Sequence, residues 1–75
     1  PWNFPFWQVF RFGIAAILAG NVVLLKHAPN VQGCAEALEK AFLSSGFESG
    51  ILTNIRIETD QVKHIISRTE IRGIA

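Results

Sequence analysis

The run Val22-Val23-Leu24-Leu25 is the tightest constraint on how this chain folds. Four consecutive apolar residues do not alternate between a wet and a dry face, so a strand made from them fits a sheet covered on both sides. Helical periodicity flanks the run. Before it, Phe6 to Leu18 reads as a helix that is apolar on most faces: Phe6, Val9, Phe10, Gly13, Ile14, Ile17 and Leu18, with Trp7 and Phe12 besides. Such a helix needs burial on two sides. Pro5 suits its first turn, where a missing N–H costs nothing. Asn3 is a candidate cap, and Gly20-Asn21 ends it. After the run, Val31 to Ser45 has apolar residues at 31, 34, 35, 38 and 42, the period of a second helix. Gly46 is its stop, and Glu36 and Lys40 form an i,i+4 pair on its outer face.

Ile51 to Ile57 reads as a second strand. Thr59 or Asp60 can cap a short helix from Gln61 to about Ser67, with Val62, Ile65 and Ile66 on its inner face. Arg68 to Glu70 is a link, and Ile71 to Ala75 looks like the start of a third strand. The order helix, strand, helix, strand, helix, strand start predicts an α/β fold: a partial Rossmann-like parallel sheet with right-handed crossovers, one incomplete domain over residues 1–75. Three short strands leave open edges that need partners. The chain has no initiator Met and ends on Arg72-Gly73-Ile74-Ala75 as an apolar run resumes, so we expect a fragment of something larger. A domain near this size buries only about 60% of its unfolded surface.

Composition removes several function classes. A hydrophobic content of 49% and a mean hydropathy of +0.29 exclude a disordered tail. Seven Lys and Arg against six Asp and Glu, without a charged block, give nothing to attract nucleic acid. A single cysteine, Cys34, excludes an internal disulfide and is compatible with the cytoplasm. His27 and His64 are too far apart for a local metal pair, so no metal is expected, and His64 reads as a partly exposed helix residue. The uncharged stretch from Phe12 to Leu25 is fourteen residues, where a membrane span needs ~20. The start also lacks the basic region of a secretory signal.

Open parallel sheets bind ligands beyond the carboxyl ends of their strands. Lys26 and His27 stand at that end of the first strand, and the amide of Asn3 precedes the first helix. Pro1-Trp2-Asn3-Phe4-Pro5, Leu18-Ala19-Gly20-Asn21 and Val23-Leu24-Leu25-Lys26, at this spacing, resemble the nucleotide-binding domain of the aldehyde dehydrogenase superfamily. Lys26-His27-Ala28-Pro29-Asn30-Val31, followed by Gly33-Cys34-Ala35, is most similar to its bacterial NAD(P)-dependent succinate-semialdehyde dehydrogenase branch. The resemblance covers essentially the whole chain and thins from Asn54 onward.

The resemblance implies an enzyme, a cytoplasmic oxidoreductase and homo-oligomer, that oxidises an aldehyde with NAD or NADP; this chain would need the remainder of that enzyme to act. It implies that Asn3 donates its amide to the oxyanion formed when a cysteine attacks the aldehyde; a helix cap is the alternative role. Trp2 and Asn3 would border the cofactor. Lys26 would reach the ribose hydroxyls or the extra phosphate of NADP, and His27, Ala28 and Pro29 would shape the wall beside it. A solvated strand-end lysine is the alternative for Lys26. Many members carry a glutamate where Pro29 stands, and its absence implies tolerance of NADP. Arg11, the only charge in the first helix, has two readings of equal standing. One is a clamp for the distal carboxylate of a small aldehyde substrate such as succinate semialdehyde. The other is a salt bridge or a solvent-facing residue.

Cys34 does not match the family's nucleophile and reads as a packed apolar residue. The nucleophile and the general-base glutamate belong beyond residue 75, so this chain alone would not catalyse the reaction. Glu36, Glu39, Glu48, Glu58 and Glu70 read as surface charges. No Gly-x-Gly-x-x-Gly motif occurs, and Ile57-Glu58-Thr59-Asp60 lacks the glycines the family usually has there. Two other readings are a small stand-alone module that binds a nucleotide or a protein edge, and a membrane-associated helical hairpin around Phe4 to Leu25.

Overall fold

The first apolar segment forms helix α1, Trp7–Leu18, in a computed structural model that describes residues 2–75; Pro1, the first residue of the opening motif, lies outside them. The turn ahead of α1 is already wound: the carbonyls of Phe4 and Phe6 accept the N–H groups of Gln8 and Phe10 at 3.1 and 3.0 Å. Asn3 does not cap the helix. The position before its first residue is Phe6, with no side-chain capping bond.

Strand β1, Val23–Leu25, follows; then a single 3-10 turn, Pro29–Val31; then helix α2, Gln32–Ser44. Both long helices stop in the same way. Asn21 N–H bonds Ala16 O and Gly20 N–H bonds Ile17 O; Phe47 bonds Phe42 and Gly46 bonds Leu43 in the same pattern. That motif needs a left-handed residue just past the helix, and Gly20 and Gly46 supply it with φ of +95° and +93°.

Strand β2, Leu52–Asn54, pairs with β1 in parallel, with Val23 opposite Leu52, Leu24 opposite Thr53 and Leu25 opposite Asn54. The parallel α/β arrangement matches the sequence reading, but β2 is shorter than Ile51–Ile57. Its last ladder bond runs from Ile55 N–H to Leu25 O at 2.8 Å. Beyond Leu25 its partner strand turns away into the Pro29 turn, so the residues after Ile55 have no backbone to pair with. Ile71–Ala75 is not a strand: among the described residues the sheet consists of β1 and β2 alone.

The last helix, α3, spans Val62–Ile66 after a 3-10 turn at Thr59–Gln61. Neither Thr59 nor Asp60 caps it: the residue before α3 is Gln61, with no side-chain capping bond. Glu58 instead caps the 3-10 turn: its N–H donates to Gln61 Oε1 at 2.8 Å, and its carbonyl accepts the Gln61 N–H at 2.9 Å.

The core joins α1, α2 and the sheet through Val9, Leu38 and Leu52, with Phe10, Val23, Leu25 and Phe42 packed against them. Phe10 and Phe42 stack at 6.3 Å. Ala35, fully buried, lets α2 approach closely, and burying Leu38 stabilises the fold by about 1.5–3 kcal/mol. Both long helices therefore cover one face of the sheet. Leu24 points to the other face and is 48% exposed. The strand expected to be buried on two sides is covered on one, among the described residues.

Two acidic residues have partners that the sequence reading did not assign, Glu36 at the surface and Glu39 in a half-buried place. Glu36 pairs with Arg56, just past β2, rather than with Lys40. Glu39 Oε2 accepts the backbone N–H of Asn54 at 2.6 Å. It lies one turn beyond Ala35, at the margin of the buried face of α2, and that spacing is the signal that could have marked it. Among the described residues, no helix is long and apolar enough to cross a membrane.

Candidate cofactor site

The parallel ladder delivers both chain segments to the same end of the sheet. Lys26 and His27 leave β1 there, and Ile55 to Thr59 leave β2. Between them lies a cleft of about 200 Å³ lined by Lys26, His27, Pro29, Gln32, Arg56, Ile57, Glu58 and Thr59. Whole-ligand pockets are usually ~300–1,000 Å³. This one therefore has room for a piece of such a ligand rather than the whole.

His27 is the best-anchored residue of the cleft. It is 4% exposed, and both ring nitrogens are bonded. Nδ1 accepts the Ala28 N–H at 3.0 Å. Nε2 lies 2.7 Å from the carbonyl oxygen of Pro5, which can only accept, so Nε2 carries the proton. These two bonds fix the orientation of the ring. The carbonyl of His27 accepts Gln32 Nε2 at 3.2 Å. One residue thus joins the segment before α1, the end of β1 and the first turn of α2. The sequence placed His27 in the wall; its burial and its bond to Pro5 come from the chain folding back on itself, which no local pattern encodes.

Lys26 is half-buried in the lining and makes no salt bridge among the described residues. Pro29 opens the 3-10 turn, so a fixed φ rather than a carboxylate stands beside the lysine. Ala28 is half-buried behind it. Gln32, Arg56, Ile57, Glu58 and Thr59 were not among the expected site residues. In a parallel sheet, whatever follows the second strand faces the same end as Lys26, and that topology is the signal that marks them. Gln32 Oε1 and Asn54 Oδ1 are buried without a hydrogen-bond partner.

The cleft fits part of a dinucleotide. The Lys26 ammonium suits ribose hydroxyls or phosphate, Arg56 adds a second cation beside Glu36 and Glu58, and Gln32 Oε1 is an acceptor still lacking a donor.

The remaining expected residues lie apart. Trp2 and Asn3 are exposed in the turn before α1 and do not line the cleft; they connect to it through Pro5 and His27. Arg11 is exposed on α1, with no ion pair among the described residues. Cys34 is a half-buried free thiol on α2.

The family model described as "Aldehyde dehydrogenase family" matches residues 1–75. Three relatives illustrate the similarity. Escherichia coli succinate semialdehyde dehydrogenase [NAD(P)+] Sad is 43% identical over 74 residues, 99% of this chain and 16% of that protein. A probable succinate-semialdehyde dehydrogenase [NADP(+)] of Synechocystis is 56% identical over 57 residues, 76% of this chain and 13% of that protein. Succinate-semialdehyde dehydrogenase [NADP(+)] 1 of Mycobacterium tuberculosis is 44% identical over 66 residues, 88% of this chain and 14% of that protein. The chain thus spans about a sixth of the length of such relatives. A match that runs through the opening motif, β1 and the lysine cleft alike has one reading: this chain belongs to the aldehyde dehydrogenase family.

Proposed function

We propose that this chain forms one wall of the cofactor site of an NAD(P)-dependent enzyme that oxidises succinate semialdehyde to the carboxylic acid. The observation that carries the reading is the cleft at the carboxyl ends of β1 and β2, with Lys26 in its lining and Asn3 tethered two residues from the Pro5–His27 bond. The names of the three relatives support the substrate.

Bound NAD or NADP supplies the hydride acceptor. The chain's own residues bind and orient. Lys26 presents a cation to ribose hydroxyls or to the extra phosphate. Asn3, relieved of any capping duty, offers a neutral N–H donor to a developing oxyanion, a contribution of roughly 2.7–4 kcal/mol. Arg11 is free to hold a distal carboxylate in a bidentate fork. The nucleophile and general base come from outside these residues, and Cys34 packs on α2.

The test is a segment exchange: this chain replaces the matching 74 residues of the Escherichia coli relative, and reduction of NAD and NADP is followed with succinate semialdehyde. Lys26→Ala should raise the cofactor KM at least about tenfold, the loss of one charge-assisted bond. A cofactor KM unchanged by Lys26→Ala rejects the reading.

A further inference from the structure

We infer that His27 is a positioning residue for the oxyanion donor: its Nε2–H, bonded to the carbonyl of Pro5, sets where the Asn3 turn lies relative to the cofactor cleft. The inference rests on the role proposed for Asn3 and goes beyond it, because it moves His27 from the cofactor wall to the catalytic geometry.

A buried imidazole with both nitrogens satisfied has no lone pair or proton left for a ligand. Its bond to Pro5 spans 22 positions in sequence and reaches a carbonyl at the root of an otherwise exposed turn. The carbonyls on either side of Pro5 are used within the turn by Gln8 and Phe10, and that of Pro5 goes to His27. Trp2 is 63% exposed and Asn3 is exposed as well, so local packing does little to hold them. The tether also ends in the cleft, where the His27 carbonyl holds Gln32 and Lys26 is the preceding residue. A displacement at this joint therefore moves the donor turn relative to the cofactor wall. Misplacing a catalytic group by about 1 Å can cost ~100-fold in rate.

Two substitutions separate the two halves of the imidazole. In His27→Asn the shorter side chain can still accept the Ala28 N–H in the place of Nδ1, but it cannot reach Pro5. In His27→Gln the amide N–H can take the place of Nε2 and keep the tether. In the segment-exchange enzyme, His27→Asn should lower kcat about 10- to 100-fold, with the cofactor KM within about twofold. His27→Gln should stay within about threefold of the parent. Asn3→Ala should also lower kcat, and the double variant Asn3→Ala/His27→Asn should lose no more than Asn3→Ala alone, because a donor that is already absent cannot be misplaced. Equal losses in His27→Asn and His27→Gln, additive losses in the double variant, or a raised cofactor KM with kcat kept would overturn the inference. So would failure of both His27 variants to fold, which would leave the residue a purely structural role. Full activity in Asn3→Ala, or an inactive parent exchange, rejects instead the functional reading beneath it.

Discussion

The carboxylate of Glu39 on α2 accepts the backbone N–H of Asn54 at the end of β2, at 2.6 Å. In the parallel ladder, Ile51 and Ile55 turn their bonding groups toward β1, so the Asn54 N–H points outward, to the free edge of the sheet. A side chain from the covering helix thus occupies the site where another strand would bond. The edge is blunted there, while the corresponding groups of Leu24 on β1 have no partner among the described residues.

Glu39→Ala should leave that N–H without its partner and cost about 1.5–3 kcal/mol, the range for hydrogen bonds to charged groups. Glu39→Gln keeps an acceptor and should cost less. Denaturation of the segment-exchange enzyme, with hydrogen exchange at the Asn54 amide, measures both. An unchanged exchange rate in Glu39→Ala would show that the bond contributes nothing.

Pro29 opens the turn beside Lys26 and lines the cleft. Pro29→Glu places a carboxylate there that can accept from ribose hydroxyls and repels an added phosphate. The ratio of kcat/KM for NADP to that for NAD should fall about tenfold or more. A ratio that holds steady would place the phosphate elsewhere.

Arg11 is exposed and without an ion pair among the described residues, so removing it should cost the fold little. Arg11→Ala should raise KM for succinate semialdehyde at least about tenfold, the value of a lost charge-assisted pair, and leave KM for an uncharged aldehyde of similar size nearly unchanged. Equal effects on the two substrates would end the clamp reading.

Near the end of the chain, Arg68 bonds the carboxylate of Glu70 at 3.0 Å and holds it below its ordinary 4.5, with help from the Glu70 backbone. A carboxylate lowered in the folded state contributes above its ordinary value and loses that contribution as pH falls through the lowered one. The pair should therefore persist at pH 5 and break only on acidification below 4.5. A carboxyl titration by NMR in the parent and in Arg68→Ala checks this, and the variant should titrate closer to the ordinary value than the parent does.

Local rules made much of this fold readable. Helical period, the Pro5 start and the two glycine stops place α1 and α2 to within two residues of where they lie. The continuous apolar run places β1. What was not readable depends on pairs distant in sequence. β2 is as long as its partner allows, so Ile57 could not announce that it lies outside the ladder. Glu36 met Arg56 instead of Lys40, and Glu39 met Asn54, because the crossover folds α2 back beside β2. In the site, Lys26 and His27 were legible as strand-end residues, with Pro29 opening the loop beyond them. The bonds of the His27 ring were not, because only the returning Pro5 carbonyl shows what it reaches.

The sheet face opposite the helices leaves Leu24 in water, and Val22 beside the strand is exposed as well. Hydrated apolar surface carries a high heat capacity, and covering it lowers that capacity. The attachment of any element laid across Leu24 would thus vary with temperature more steeply than a polar contact would. Apolar burial weakens on cooling. Such an attachment would be the first to loosen in the cold, while the Glu39 and His27 bonds stay closed.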